Sequence, residues 1–173
     1  VYDKSADLLP SVIDQSIKEY GQSMNWLILG SGDYYLEDAL KNISDKHNHH
    51  VKFIRAYNEP LSHRMYASAD FLLMPSRVEP CGLNQLYAMR YGTIPMVRRT
   101  GGLQDTVIDL GDEGGFGICF SHATTGEILH AMHRALEVFN EEKLMHDSRI
   151  NMMKINHSWQ RTIQEYSDLY NSI

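Results

Sequence analysis

The sequence predicts an α/β fold, a Rossmann-like parallel sheet with helices on both faces. Short apolar runs at residues 26–29, 51–54, 71–74 and 94–97 have the length of buried strands. Apart from Lys52 they are apolar rather than alternating, as strands covered on both faces are. Between them, apolar residues recur at helical spacing, so strand and helix alternate along the chain. A third observation concerns the junctions: the loops at 75–84 and 98–102 run from strand end to helix start and carry glycine beside charged side chains. In an open parallel sheet such loops lie at the carboxyl ends of the strands, where ligands bind.

Taken in order, Leu9, Ile13 and Ile17 share one helix face, and Pro10 is tolerable in the first turn if Asp7 caps the helix. Residues 26–29 form a strand ending in the tight turn Gly30-Ser31-Gly32-Asp33, and Tyr35, Leu36, Ala39, Leu40 and Ile43 form a helix. Residues 51–54 are a strand, 57–60 a loop, 61–69 a short helix and 71–74 a strand. Leu83, Leu86, Tyr87, Arg90 and Tyr91 then share a helix face, and 94–97 is the next strand. Leu103, Val107 and Leu110 continue a helix that Gly111 stops. Residues 116–120 are a strand, and helices are expected at 128–139, 144–153 and 159–170.

A chain of 173 residues fits one domain, able to bury roughly 70% of its unfolded surface. It opens abruptly at Val1, with neither methionine nor polar tail, so a fragment of something longer is expected. No run reaches the apolar length of a membrane span, and no secretory pattern opens the chain. The net charge of −6 argues against a nucleic-acid or acidic-membrane partner. Two cysteines make neither a disulfide framework nor a zinc site, and the histidines are scattered, with His47, His49 and His50 in a solvated loop; no metal site is expected. Gly30-Ser31-Gly32 lacks the third glycine of the dinucleotide fingerprint and is either a tight turn or a weak nucleotide contact. A phosphate loop and a Gly-x-Ser-x-Gly elbow are absent from the sequence, which removes dehydrogenases, P-loop enzymes and lipases as first choices.

The residues of the two junction loops suggest a site. Glu79, fixed before Pro80, can accept hydrogen bonds from sugar hydroxyls or stabilise nearby positive charge. Gly82 lets a ligand approach the backbone, and the N–H groups of Leu83 and Asn84 open a helix suited to phosphate. Thr100, Gly101 and Gly102 offer the same at the neighbouring loop. An anion site beside polyol recognition is the pattern of a nucleotide-sugar site. Arg77 is either a contact to the ligand or an orienter of Glu79. Arg98 and Arg99 serve phosphate or cap the loop, Cys81 packs, and His63 is a structural hydrogen-bonder.

The segments Pro-Ser-Arg-Val-Glu-Pro-Cys-Gly-Leu-Asn-Gln-Leu-Tyr at 75–87 and Tyr-Gly-Thr-Ile-Pro-Met-Val-Arg-Arg-Thr-Gly-Gly-Leu at 91–103 resemble the bacterial glycogen synthase and plant starch synthase family. The likeness extends to Asp105-Thr106-Val107, Gly30-Ser31-Gly32-Asp33, Tyr57 with Ser62-His63-Arg64, and Ser158-Trp159. It covers essentially the whole chain, as the C-terminal domain of a retaining glucosyltransferase with the two-domain GT-B fold. The resemblance implies that residues 1–173 bind the nucleotide-sugar donor and that an N-terminal acceptor domain lies outside this chain.

It also implies roles. Lys4 resembles the lysine of the family's Gln-Lys-Gly motif, which faces the donor phosphates; here Asp3 precedes it and Ser5 follows, and the alternative is an exposed lysine near a chain end. Glu79 matches the acid that holds the donor glucose and assists the transition state. Leu83 and Asn84 would present N–H groups to the phosphates, Tyr57 would stack on the base, and Gly30 and Gly32 would let the nucleotide lie against the backbone. In related retaining families a second acid follows the first by eight residues; here that position is Tyr87.

The expected function is that of the donor-binding domain of a glycogen or starch synthase. Such an enzyme transfers glucose from ADP-glucose, with UDP-glucose the other candidate donor, to the non-reducing end of an α-1,4-glucan with retention. No cofactor or metal is expected. The fragment alone should be inactive, and its location bacterial cytoplasm, or plastid for a starch synthase. The alternatives are the donor domain of another GT-B glycosyltransferase, or a non-catalytic nucleotide- or glucan-binding module.

Overall fold

The computed structural model describes residues 2–173. Two short 3-10 turns, Tyr2–Lys4 and Ala6–Leu8, lead into α1 (Leu9–Tyr20). Strand β1 (Trp26–Gly30), α2 (Tyr34–Lys46), β2 (Val51–Arg55) and α3 (Glu59–Ser68) follow. Next come β3 (Phe71–Met74), α4 (Asn84–Tyr91), β4 (Ile94–Arg98), α5 (Gly101–Thr106) and β5 (Ile118–Phe120). The chain closes with α6 (Thr125–Asn140), α7 (Glu142–Met153) and α8 (Trp159–Asn171). Every paired strand is parallel, each crossover carrying a helix that helps return the chain to the starting edge.

The expected single sheet is two hydrogen-bonded ladders among the described residues, β1–β2 and β3–β4–β5. Side chains, not a ladder, span the seam: Trp26 packs with Phe71 and Leu73 in one apolar cluster. The three-stranded ladder is covered on both faces, and alternation along its strands shows how. Val97 and Cys119 face Met89, Leu103, Val138 and Met145, whereas Met96, Ile118 and Phe120 face Val12, Ile128 and Ala131. The two-stranded ladder departs from expectation. Its one face is packed by Ile13 of α1 and Leu40 of α2, while Leu27 on the other is 53% exposed. The helix after β2 does not cover it, because α3 packs on α4 instead, through His63 and Tyr66 against Tyr87 and Tyr91.

Two helical expectations are also corrected. Asp7 does not cap α1, which starts without a side-chain cap, because its carboxylate is held by Arg77. The helix after Thr100 stops at Thr106 rather than running to Gly111. Val107 and Leu110 have helical spacing, yet from Val107 the backbone is extended: Ile108 O accepts from Phe116 and Gly117, and Leu110 N–H donates to Gly117 O. This return uses up residues 116–117, so β5 is shorter than the predicted 116–120. His47 also leaves the expected solvated loop and meets Asp14 at 2.8 Å, joining α2 to α1.

Asp109 holds the return in place. Its carboxylate accepts from Arg134 Nη1 and Nη2 at 3.0 and 2.7 Å, and from the N–H groups of Cys119 and Gly111 at 2.6 and 2.9 Å. Burial opposes its ionisation, but Arg134 and the two N–H groups outweigh burial and hold the carboxyl below its ordinary value. Because the folded value lies below the unfolded one, Asp109's contribution is complete at neutral pH and is lost as pH falls below about 4. Asp109→Ala strands Arg134 and two N–H groups, and should cost about 3 kcal/mol in urea unfolding at pH 7. At pH 3 the deficit should shrink; a deficit independent of pH would show that the ionised carboxylate is not what stabilises the return.

Candidate functional site

The site forms where β3 ends. Beyond Met74 the chain turns through buried Pro75 and Ser76 and delivers Glu79, 8% exposed, to the carboxyl edge of the ladder. Glu79 Oε2 accepts from Lys4 Nζ at 2.5 Å and from Ser76 Oγ at 3.1 Å. A base and an acid separated by 75 positions in sequence are thus brought together. Lys4 keeps half of its side chain in solvent while Glu79 does not, so the acid is the fixed partner and the lysine the movable one.

The helix behind Glu79 starts without a side-chain cap. Leu83 and Asn84 are exposed, and their N–H groups have no acceptor among the described residues. These orphan donors and the helix dipole give the start of α4, a few residues along the chain from Glu79, the means to hold an anion. Gly82, at φ 75, makes the turn into the helix, and the space where its Cβ would stand belongs to Gln85. Gln85 is fully buried; its Nε2 donates to Cys81 O, Gly82 O and Thr106 Oγ1 at 3.1, 3.1 and 3.2 Å. The amide therefore ties the first loop to α5. Sequence showed a glutamine in the motif but gave no sign that its amide is buried.

The second loop does something other than expected. The N–H of Gly102 is not free for an anion, since it donates to Glu79 O and Pro80 O at 3.1 and 3.2 Å. A Cβ on Gly101 would fall well inside 3.0 Å of Glu79 O, and one on Gly102 would do the same at Cys81 O. The glycines let α5 slide under the backbone of residues 79–81, so they support the acid's loop from below. Thr100 and Gly101 keep N–H groups without an acceptor among the described residues.

Arg98 also turns inward: its Nε and Nη2 donate to Ser76 O and Arg77 O at 2.7 and 2.6 Å, fastening the start of the loop. Arg99 lies 3.4 Å from Asp112. Arg77, expected as either a ligand contact or an orienter of Glu79, spends its guanidinium on Asp7 and Tyr2 O.

Gly30, Gly32 and Tyr57 lie at or just beyond the carboxyl ends of β1 and β2, in the other ladder. Tyr57 is 88% exposed, and a Cβ on Gly30 would meet nothing within 4 Å, so a flat ring and an open turn are presented to solvent. Gly32 N–H donates to Glu37 Oε1 at 2.7 Å, and Glu37 Oε2 lies 2.6 Å from Arg55 Nε, which fixes the turn. Cys81 is exposed with no base beside it, and burial pushes the thiol of Cys119 up to about 11. Two concavities of about 440 and 410 Å³ lie elsewhere and include none of the expected site residues. The Glu79 edge is an open wall. Among the described residues no cluster of His, Cys, Asp and Glu could hold a metal, and no helix is long and apolar enough to cross a membrane.

One backbone position carries strain. Ser5, completely buried, has φ 54, the left-handed region that favours glycine, and its hydroxyl has no partner. The resemblance places glycine there. Left-handed backbone costs a non-glycine residue about 1–2 kcal/mol, while glycine returns part of this as unfolded-chain entropy. Ser5→Gly should therefore stabilise the chain by about 0.5–1 kcal/mol, raising Tm by about 2 °C in calorimetry. A lower Tm would mean that the buried hydroxyl is satisfied in solution.

Residues 1–137 match the family described as "Glycosyl transferases group 1". Glycogen synthase of Flavobacterium johnsoniae is 46% identical over 99% of this chain, and glycogen synthase 1 of Rhizobium meliloti 39% identical over 99%. The match spans 36% of the length of each relative, so the chain is little more than a third as long as they are. Among solved structures, the catalytic domain of starch synthase IV from Arabidopsis thaliana, bound to ADP and acarbose, superposes with a TM-score of 0.85. It is 32% identical, and the match covers 99% of this chain and 36% of that one. A sucrose-phosphate synthase from Thermosynechococcus elongatus, at 21% identity and TM-score 0.72, shares the fold. Parallel ladders flanked by helices match the GT-B glycosyltransferase domains, and the chain belongs to the group 1 glycosyl transferases, with likeness to glycogen synthases along its whole length.

Proposed function

We propose that this chain is the donor-binding domain of a glycogen or starch synthase that transfers glucose from ADP-glucose to the non-reducing end of an α-1,4-glucan with retention. The observation that carries the reading is the Lys4–Glu79 pair, 2.5 Å apart, beside the uncapped start of α4. A nucleotide sugar has an anionic diphosphate next to a neutral polyol. The site has a cation and free N–H groups next to a buried carboxylate, in the matching order. ADP rather than UDP is favoured by the ADP bound to the starch synthase relative.

On this reading the diphosphate competes with Glu79 for the Lys4 ammonium. Lys4 and the N–H groups of Leu83 and Asn84 neutralise the negative charge that grows on the diphosphate as the glycosidic bond breaks. The freed Glu79 carboxylate accepts from glucose hydroxyls and faces the positive charge developing on the sugar. Glu79 is held for this by Ser76, and its loop by Arg98, Gln85 and the glycines of α5. Tyr57 offers its exposed ring to the base, with Gly30 and Gly32 beside it at the β1–β2 edge. Neither metal nor cofactor has a role in this scheme. The glucan and the second wall of the cleft belong to an N-terminal acceptor domain, so this chain alone should bind donor and transfer nothing. The assignment to bacterial cytoplasm follows the bacterial relatives.

The test uses an intact protein carrying this chain. Supplied with glycogen, it should elongate the glucan from ADP-glucose with an α-anomeric product by NMR, and faster than from UDP-glucose. A preference for UDP-glucose would overturn the donor assignment; a β-linked product would overturn retention.

A further inference from the structure

We propose that Arg77 is a positioning residue for Lys4: it clamps the bend that aims the ammonium at the donor phosphates, and does not itself touch the donor. The inference rests on the donor-site reading above.

The geometry is specific. Residues 2–8 form two 3-10 turns hinged at Ser5, whose left-handed backbone points Lys4 back at the loop after β3. The guanidinium of Arg77 reaches across this hinge. On one side Nη1 donates to Tyr2 O at 2.8 Å and the guanidinium carbon lies 4.1 Å from the Tyr2 ring centroid. On the other, Nη1 and Nη2 grip Asp7 Oδ1 and Oδ2 at 2.6 and 2.9 Å. The backbone adds to it, since the N–H groups of Arg77 and Val78 both donate to Asp3 O, at 2.7 and 3.0 Å. Arg98 in turn holds Arg77 O at 2.6 Å. One side chain thus pins both arms of a bend, and Lys4 lies at its apex.

The need for such a clamp follows from what it holds. Ser5 occupies a conformation that serine disfavours, so the hinge would relax if released. Lys4 carries its charge on a flexible stem that is half in solvent, and freezing that stem on binding would reduce affinity. Arg77 does the ordering beforehand. The bidentate fork on Asp7 also leaves the guanidinium committed, with its two terminal nitrogens engaged on this chain's own oxygens.

The experiment is calorimetric titration of the folded chain with ADP, with Tm recorded for each variant. Lys4→Ala should weaken ADP about tenfold. Arg77→Ala and Asp7→Asn should each weaken it about fivefold, and in the Lys4→Ala background each should add less than twofold. Arg77→Lys keeps a cation but loses the fork, so it should bind as weakly as Arg77→Ala; near wild-type affinity would identify a direct phosphate contact and overturn the clamp. Full additivity of Arg77→Ala with Lys4→Ala would overturn it too. A silent Arg77→Ala and Asp7→Asn beside an effective Lys4→Ala would sink the clamp alone, whereas a silent Lys4→Ala would sink the donor-site reading beneath it. Should Arg77→Ala fail to fold, Asp7→Asn opens the same clamp from its exposed end and decides the matter.

Discussion

Glu79→Ala in an intact protein carrying this chain should reduce glucosyl transfer by about 10³-fold while leaving ADP affinity of the chain unchanged or higher. The two halves of the expectation come from one contact. Glu79 is buried and fixed by Ser76, and in the proposed function it faces the place where a glucosyl group acquires positive charge. Removing a preorganised charge of that kind costs about 10²–10³ in rate, and losing the sugar hydroxyl contacts adds to it. The same substitution releases Lys4 from its ion pair, so an incoming diphosphate meets a free ammonium. Steady-state kinetics with ADP-glucose should show the loss in kcat. A variant that loses ADP binding in proportion to activity would mean that Glu79 holds the loop rather than the sugar.

Gly102→Ala is expected to damage the fold at the site severely. The added methyl would stand well inside 3.0 Å of Cys81 O, and the obstacle is backbone, which cannot rotate away. Relief requires α5 to move from residues 79–81, which breaks the paired bonds from Gly102 N–H to Glu79 O and Pro80 O. Overpacking and those bonds together should cost about 3 kcal/mol, a Tm drop of about 6–12 °C. Because the same loop presents Glu79 and leads to Leu83, ADP affinity should fall with it. An unchanged Tm would show that the two loops are not in contact as described.

The strand cores were legible because a buried strand needs a contiguous apolar run, and the structure's β1 to β4 extend those runs by no more than a residue. What could not be read were partners distant in sequence. Val107 and Leu110 have helical spacing, but Asp109 with Arg134, 25 positions on, draws the backbone into an extended return. Leu27 sits in an apolar run like those of covered strands, yet α3 is taken by the rings of α4 and leaves its face open. The amphipathic α8 likewise buries none of its residues in this chain.

At the site, Glu79 was visible as a lone acid in a glycine-bearing loop. Its pairing with Lys4 was not, since nothing local relates positions 75 apart. Sequence leaves Arg77 as a ligand contact or an orienter of Glu79, because it displays a charge and hides what neutralises it. Gly101 and Gly102 were read as room for a ligand, when the room is taken by the neighbouring loop. Lys4 meets Glu79 at the end of β3, and the Leu83–Asn84 N–H groups open α4, while Gly30, Gly32 and Tyr57 follow the strands of the other ladder.

Donor binding by this chain requires a nucleoside diphosphate at Lys4 and the start of α4. Calorimetric titration of the chain with ADP, beside Lys4→Ala, tests it most directly. Saturable one-to-one binding is expected, weakening about tenfold when the ammonium, a charge-assisted donor, is removed. The absence of ADP binding, or equal affinity in the two proteins, would contradict it.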